Sequence, residues 1–434
     1  MKILINYGRE SPLRPIVPGE DIPMGGIRTA ALALAAALAR RGHEIHLFAR
    51  GETPGLHEGV WFHERAEFAA FTREHDVDAL VVIPETLPLL LPARARARVV
   101  WTGNAFQTGD CAIAAPWPWA KHIGPAGETA RLYSMAALHP YADRIMVKSR
   151  WQAGYMRDTL GLPAEKFRVV YNGAPLEFFD GPAPARHPHR LVYTSQARRG
   201  LDVLARLFPQ IRLAVPDAEL HIFGYDGPEA IGSALKAALA QPGVYWRGSL
   251  GKKALAGELR AAGIMAYPCT LKETFCTAVA EAQAAGLAVV TSDRAALAER
   301  VEDGVDGALI RGRPGPEEPE YQRAFVEAVV RLAQDGESRA RMGSAAAAKA
   351  RRQYNWETIA QQWEEELLDL VNGREPQPPR LTPDLDLLDP SLLQVRDRGA
   401  SAQAPAALAQ EWLRAAWVSY GYAEREIPTF ARGR

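Results

Sequence analysis

Cysteine is scarce: three residues in 434, Cys111, Cys269 and Cys276. They form no cluster with histidine. That excludes a zinc-ligand set and a disulfide-built scaffold, and it fits a reducing compartment. A charge excess of either sign is also missing, with 51 Lys+Arg against 51 Asp+Glu, whereas bulk nucleic-acid binding would need a basic surplus. Long hydrophobic runs are absent, and the most apolar uncharged stretch, residues 29–39, falls far short of the ~20 residues that span a bilayer. The chain opens on a strand-like run, residues 3–7, and not on the regions of a signal peptide. What is present is the apolar fraction of 47% and charged fraction of 24% of a soluble globular chain. The expectation is a cytoplasmic protein, too long for one ordinary core and therefore built of two domains.

Strand-like and helix-like segments alternate. Strands are expected at residues 3–7, 43–49, 79–83, 97–101, 144–147 and 167–171, with helices between them, as in a parallel, doubly wound sheet. Gly25 and Gly26 precede an Ala/Leu-rich helix that stops at Arg41-Gly42, a place where backbone comes close either to a ligand or to a neighbouring element. Ser149 reads as the N-cap of a helix over 150–160. Arg94, Arg96 and Arg98 alternate before a strand end, and Trp117, Trp119, Lys121, His122 and Arg131 follow downstream. These residues fit either an exposed strand edge with core tryptophans or a peripheral contact with an anionic membrane at its inner face.

Asn172-Gly173 is a turn signal, and the proline-rich residues 181–189 read as an inter-domain linker. A second α/β unit opens with a strand at 190–193 and the loop Thr194-Ser195-Gln196-Ala197-Arg198-Arg199-Gly200, whose arginines could neutralise a leaving diphosphate or simply be solvated. Further strands are expected at 219–224, 244–248 and 264–268. The stretch 268–292, P-C-T-L-K-E-T-F-C-T-A-V-A-E-A-Q-A-A-G-L-A-V-V-T-S, then reads as loop, helix, glycine stop and strand. Its helix start leaves the amides of about residues 275–278 unpaired, an anion socket. Glu273 lies in the loop, and Glu281 stands four residues after Thr277, on the same helix face one turn deeper. One carboxylate on either side of an anion socket suits a sugar and a ribose flanking a diphosphate.

Taken in order, these features resemble the retaining glycosyltransferases of the GT-B fold, family 4 (group 1), through most of residues 1–372. The resemblance rests on Gly25-Gly26, Asn172-Gly173, Arg199-Gly200-Leu201, Arg247-Gly248, the E-x7-E pair Glu273 and Glu281, and the helix opened by Trp356. It implies two Rossmann-like domains with a cleft between them: an acceptor-binding domain over 1–183, a nucleotide-sugar-binding domain over 184–352, and a helix over 353–373 crossing back to the first. A C-terminal extension, 374–434, lies outside the resemblance. The implied donor is a UDP-, GDP- or ADP-sugar, with Gly25, Gly26, Ser195, Arg247, Gly248, Phe275, Cys276, Thr277 and Glu281 contacting it. Glu281 would hold the ribose hydroxyls and Glu273 the donor sugar, while Arg198, Arg199 and Glu273 carry catalysis. No cofactor and no metal is expected; the acceptor is a glycan, a lipid-linked molecule or a small molecule, and no nucleic acid is a partner.

Two departures from the family pattern stand out. The arginine usually found five residues before the loop lysine falls at Thr194 or Ser195, while Arg199 takes the lysine position. Where a histidine is common, this chain has Gly103-Asn104, which makes Asn104 a sugar-contacting candidate. Alternative readings of the same fold are a sugar-nucleotide epimerase, a phosphorylase or a non-catalytic scaffold. In the extension, Asp384-Leu-Asp386 reads as surface, and a helix over about 402–420 is expected to dock on its own chain or on a second subunit.

Overall fold

The computed structural model describes residues 1–8, 12–16, 19–51, 53–83, 87–103, 131–132, 139–182, 184–224, 227, 231–315, 317–380, 393–394, 414 and 417–427. They divide into two compact units, one of Met1–Ile16, Ala31–Val170 and Ala360–Arg434, the other of Val17–Ala30 and Tyr171–Ile359. The division therefore falls earlier than the expected boundary after residue 183. It also moves the segment that carries Gly25 and Gly26 into the second unit.

In the first unit, β1 (Lys2–Tyr7), β2 (Glu44–Ala49), β3 (Gly55–His57), β4 (Val60–Glu64), β5 (Val77–Ile83), β6 (Ala95–Trp101), β8 (Arg144–Val147) and β9 (Phe167–Val169) form one sheet in the order β3-β4-β2-β1-β5-β6-β8-β9. All pairs are parallel except β3 with β4. The central strands are near-continuous apolar runs because parallel strands are covered on both faces; β1 is buried from Ile3 to Tyr7. The β3–β4 hairpin was not expected. Its turn places Glu58 and Gly59 at positive φ, and glutamate gives no sequence signal for that conformation. Two short strands, β7 (Arg131–Leu132) and β16 (Leu393–Gln394), pair antiparallel.

The alternating arginines Arg94, Arg96 and Arg98, the last two in β6, do not form a basic face. Arg94 pairs with Asp76 at 2.7 Å and Arg96 with Asp78 at 3.4 Å. Arg98 is buried, donates to the carbonyls of Ala93 and Gln377, and has its pKa pushed down to about 10 by burial. Trp117, Trp119, Lys121 and His122 lie outside the described residues, as do Asn104, Cys111 and Asp384 to Asp386. Among the described residues no helix is long and apolar enough to cross a membrane.

The second sheet contains β10 (Arg190–Thr194), β11 (Glu219–Phe223), β12 (Val244–Trp246), β13 (Ile264–Tyr267), β14 (Ala288–Ser292) and β15 (Gly307–Ile310), all parallel, in the order β12-β11-β10-β13-β14-β15. The strand order reverses between β10 and β13, the switch point at which open α/β sheets take ligands beyond their carboxyl ends. The helix Trp356–Val371 begins in this unit and runs on into residues of the first. There Trp363 is buried edge-on against Trp101 at 5.2 Å, and Glu366 takes Arg144 and Arg168.

The described end of the extension, residues 417–427, docks on its own chain. Trp417, Tyr420 and Tyr422 are buried in the apolar cluster that holds Leu4, Phe48 and Phe68. Tyr420 Oη donates to Asn6 Oδ1 at 3.0 Å, and Arg73 pairs with Glu426 at 2.8 Å. Of the helix expected over 402–420, most residues lie outside the described set, and the aromatic end supplies the anchor. Trp417→Ala is expected to lower stability by about 3–5 kcal/mol in urea denaturation; an unchanged midpoint would show that the extension is not part of the first unit's core.

Candidate functional site

The loops after β10, β12 and β13 all leave the carboxyl edge of the second sheet, because every strand in it runs the same way. Between the first and last of these the backbones nearly touch. Gly200 sits at φ +112°, and a Cβ there would lie 2.0 Å from the Pro268 carbonyl oxygen, so only glycine closes this contact. Thr270 reaches back, its amide to the Arg199 carbonyl and its hydroxyl to that of Arg198, each at 3.4 Å.

This approach brings Arg199 Nη1 onto Glu273 Oε1 as an ion pair. Tyr267 Oη donates to the same oxygen at 3.0 Å and also lies 3.4 Å from Ser195 Oγ. Glu273 is buried, and among the described residues its second oxygen accepts no hydrogen bond. Burial opposes the charge on Arg199, but Glu273 more than offsets it, and the guanidinium pKa is raised. Burial, and then the Glu273 carboxylate, push the Cys269 thiol up to about 12 and raise Cys276 and Tyr267 well above their ordinary values. The cysteines are spectators in the protonated form.

The helix Thr277–Ala284 starts directly after Cys276, a non-glycine residue at φ 68°, ψ 81°. The first intrahelical bond of that turn is Ala280 N to Cys276 O, so the Thr277 and Ala278 amides begin the helix without acceptors inside it. Gly26 packs against this turn: a Cβ on it would lie 2.8 Å from Thr277 Oγ1. The close approach expected of the Gly25-Gly26 pair thus belongs to Gly26, whereas a Cβ on Gly25 meets nothing within 4 Å. Gly25 accepts instead from the Thr29 amide at 3.1 Å.

Glu281, one turn into the helix, is buried with Lys252 Nζ 2.5 Å from its Oε1. Its Oε2 accepts no hydrogen bond among the described residues. Lys252 was missed in the sequence. The signal was there: a lysine as first residue of a helix, Lys252–Ala261, opposes the helix dipole and needs a partner elsewhere. Asp21 caps that helix, accepting from the Lys253 and Ala254 amides at 2.9 and 2.8 Å, and Gly251 leaves room for its carboxylate.

The remaining candidates fall at the margin. Arg198, expected beside Arg199, is exposed and donates to Gln196 Oε1 at 3.1 Å; no contact joins it to either glutamate. Consecutive residues of the short helical turn 197–199 point different ways, and only Arg199 faces Glu273. Arg247 is exposed, 3.8 Å from Glu258, and Gly248 follows at φ +76° with open space around its Cα. Phe275 is buried against Arg300, a fully buried arginine that sequence reasoning did not single out. Its guanidinium lies 3.7 Å from the Tyr171 ring centre, 4.9 Å from Phe275 and 5.7 Å from Tyr354, with Glu299 at 3.9 Å. Three ring faces around one cation fix the phenylalanine that precedes the helix start.

Residues 24–178 match the domain family Glycosyltransferase Family 4, and residues 188–335 match Glycosyl transferases group 1. A phosphatidyl-myo-inositol mannosyltransferase of Mycobacterium tuberculosis is 30% identical over 169 residues, covering 38% of this chain and 43% of that protein, so the chain spans less than half the length of this relative. Sucrose-phosphate synthase from Thermosynechococcus elongatus is similar in structure with a TM-score of 0.64 at 17% identity, over 85% of this chain and 99% of that one. Anabaena Alr3699/HepE, solved with UDP and glucose, gives 0.62 at 17% identity over 85% and 99%. The two parallel-sheet units are those of the expected GT-B fold.

The raised thiols generate a prediction. With its pKa moved from 9.0 to about 12, Cys269 holds about a thousandfold less thiolate near pH 8 than an exposed thiol. Iodoacetamide should modify it slowly in the native chain and rapidly in denaturant. The folded pKa lies above the unfolded one, so the stability this contributes is complete below pH 9 and is lost as pH rises toward 12. Equal alkylation rates in the two states would refute the buried assignment.

Proposed function

We propose that this chain, which carries the family 4 and group 1 glycosyltransferase domains one after the other, moves a sugar from a nucleoside-diphosphate sugar to an acceptor with retention of anomeric configuration. One observation carries the reading: each glutamate of the pair has one oxygen fixed by a cation and the other left open. The two stand on either side of a helix start that presents unpaired amides. Glu273 Oε2 is the acceptor for donor-sugar hydroxyls and Glu281 Oε2 for those of the ribose. The diphosphate lies on the Thr277 and Ala278 amides, where the helix dipole favours negative charge.

In the transfer step the bond between the anomeric carbon and the leaving diphosphate oxygen breaks, and the acceptor oxygen bonds to the same face of that carbon. The acceptor proton passes to the departing diphosphate. Charge accumulates on that leaving group, and fixed cations and amides are the groups that stabilise it. Arg199 and Lys252 are chain-borne cations of this kind, so the reading calls for no metal. Hydrolysis by an acid and a nucleophile does not suit the pair, since each carboxylate has one oxygen tied up in an ion pair. The relative's mannosyltransferase name and the UDP and glucose in HepE support a hexose donor and a lipid-linked or glycan acceptor.

Calorimetry with UDP, GDP and ADP should find one that binds, and Lys252→Met and Glu281→Gln should each weaken it at least about tenfold, the scale of a charge-assisted hydrogen bond. Arg199→Ala should slow transfer by about 10²–10³, and proton NMR of the product should show the donor's own anomeric configuration. Absence of binding to all three nucleotides would refute the proposal.

A further inference from the structure

The helix Thr277–Ala284 has a second end, and there the second unit opens a cavity of about 610 Å³. Its walls are the linker around Phe179 and Pro188, the helix end at Ala284 to Gly286, and the helix Gly336–Gln353. Four arginines line it, Arg186, Arg260, Arg339 and Arg351, and no carboxylate is among the lining residues described. In a chain with equal numbers of acidic and basic residues this is a local concentration of positive charge.

Arg186, Arg260 and Arg339 are oriented by carbonyls and have no ion pair among the described residues, while Arg351 meets Asp180. Arg186 donates to the carbonyls of Ala262 and Ala285, Arg260 to those of Gly181 and Pro182, and Arg339 to those of Leu332 and Ala333. Several of these are helix-end carbonyls, which carry only about half an elementary charge per helix. An arginine has five donors, and these bonds use one or two nitrogens of each. The nearest carboxylates are engaged from outside: Asp180 lies 3.5 Å from Arg351 with both side chains exposed, and Asp335, which acts on Arg339, caps the Ser338 amide. Burial and then repulsion from Arg260 and Arg339 lower the Arg186 pKa. Small residues make the floor. A Cβ on Gly343 would lie 2.3 Å from the Gly286 carbonyl, so the two helices meet without side chains between them.

We infer that this cavity is a second anion site, which binds a compact, multiply charged phosphate compound through the Arg186, Arg260, Arg339 and Arg351 forks. Planar guanidiniums match phosphate oxygens two at a time, and the volume is that of a small-molecule site. A nucleic-acid strand does not fit a space of this size. Phe179 is the one aromatic residue in the lining described, so there is no stacking platform for a base pair of contacts. The same phosphate chemistry is offered by a soluble polyphosphate and by a phosphomonoester lipid headgroup.

The test uses the full chain and inorganic tripolyphosphate, titrated by calorimetry at low and moderate salt. Saturable binding is expected. It should weaken at least about tenfold in Arg186→Gln and Arg339→Gln, and persist in Arg199→Ala, which removes a cation that is not among the lining residues of the cavity. Because Arg186 also braces helix ends, each variant is checked by its thermal midpoint, and Arg351→Gln, exposed and free of those bonds, gives a second reading of the same loss. Co-sedimentation with phosphatidylcholine vesicles, with and without phosphatidate, identifies the source: retention only with phosphatidate, lost in the same variants, assigns a headgroup. No saturable binding in either arm overturns the site. So does binding that falls in Arg199→Ala and survives in Arg186→Gln.

Discussion

The ion pair between Arg199 and Glu273 joins two loops that are far apart in sequence and adjacent only because β10 and β13 are neighbours in the sheet. Its formation requires the backbone contact at Gly200, which admits no side chain. Once the loops are joined, Tyr267 and the two cysteines close around the carboxylate, and one glutamate oxygen is committed to structure while the other accepts no hydrogen bond among the described residues. A buried carboxylate without such a partner would be costly, on the order of 3–5 kcal/mol when one member of a buried pair is removed. The donor-holding role proposed for Glu273 and the loop-joining role of Arg199 are thus one arrangement.

Lys252 and Glu281 repeat the device one loop away. The two pairs bracket the start of the helix Thr277–Ala284, whose free amides supply the third element of the socket. Behind it, Arg300 holds Phe275 among three aromatic rings, and its own carbonyl takes Gln283 and Lys349. Gln283 in turn accepts from Tyr354 Oη at 3.1 Å, just before the helix that leaves this unit. The socket is therefore backed by side chains from widely separated stretches, and its rigidity is a property of that packing and not of the loop alone. At the far end of the same helix the arginine-lined cavity places a second concentration of positive charge.

Some of this was legible in the residues. The alternation of apolar runs with helix-forming segments fixes a parallel α/β architecture, since buried strands must be apolar throughout. The E-x7-E spacing puts Glu281 one turn beyond Thr277 whatever else the chain does. Ser149 caps its helix by bonding the Gln152 amide at 3.1 Å, as a serine before a helix start should. The Glu58-Gly59 turn escaped because glutamate at positive φ has no sequence signature, and Arg300 escaped because an arginine closing a short helix, Leu297–Arg300, reads as a surface residue.

What the sequence determined by itself are the features governed by local periodicity and chain-neighbour chemistry: element types, the helix start after Cys276, and the relative placement of Thr277 and Glu281. Only the tertiary structure decided which cations meet which carboxylates. Arg198 and Arg199 are consecutive and chemically identical, yet one faces Glu273 and the other solvent, because the turn that carries them rotates side chains between adjacent residues. Lys252 finds Glu281 across 29 positions of chain. Pairings at that distance depend on sheet order and loop packing, and no spacing in the sequence encodes them.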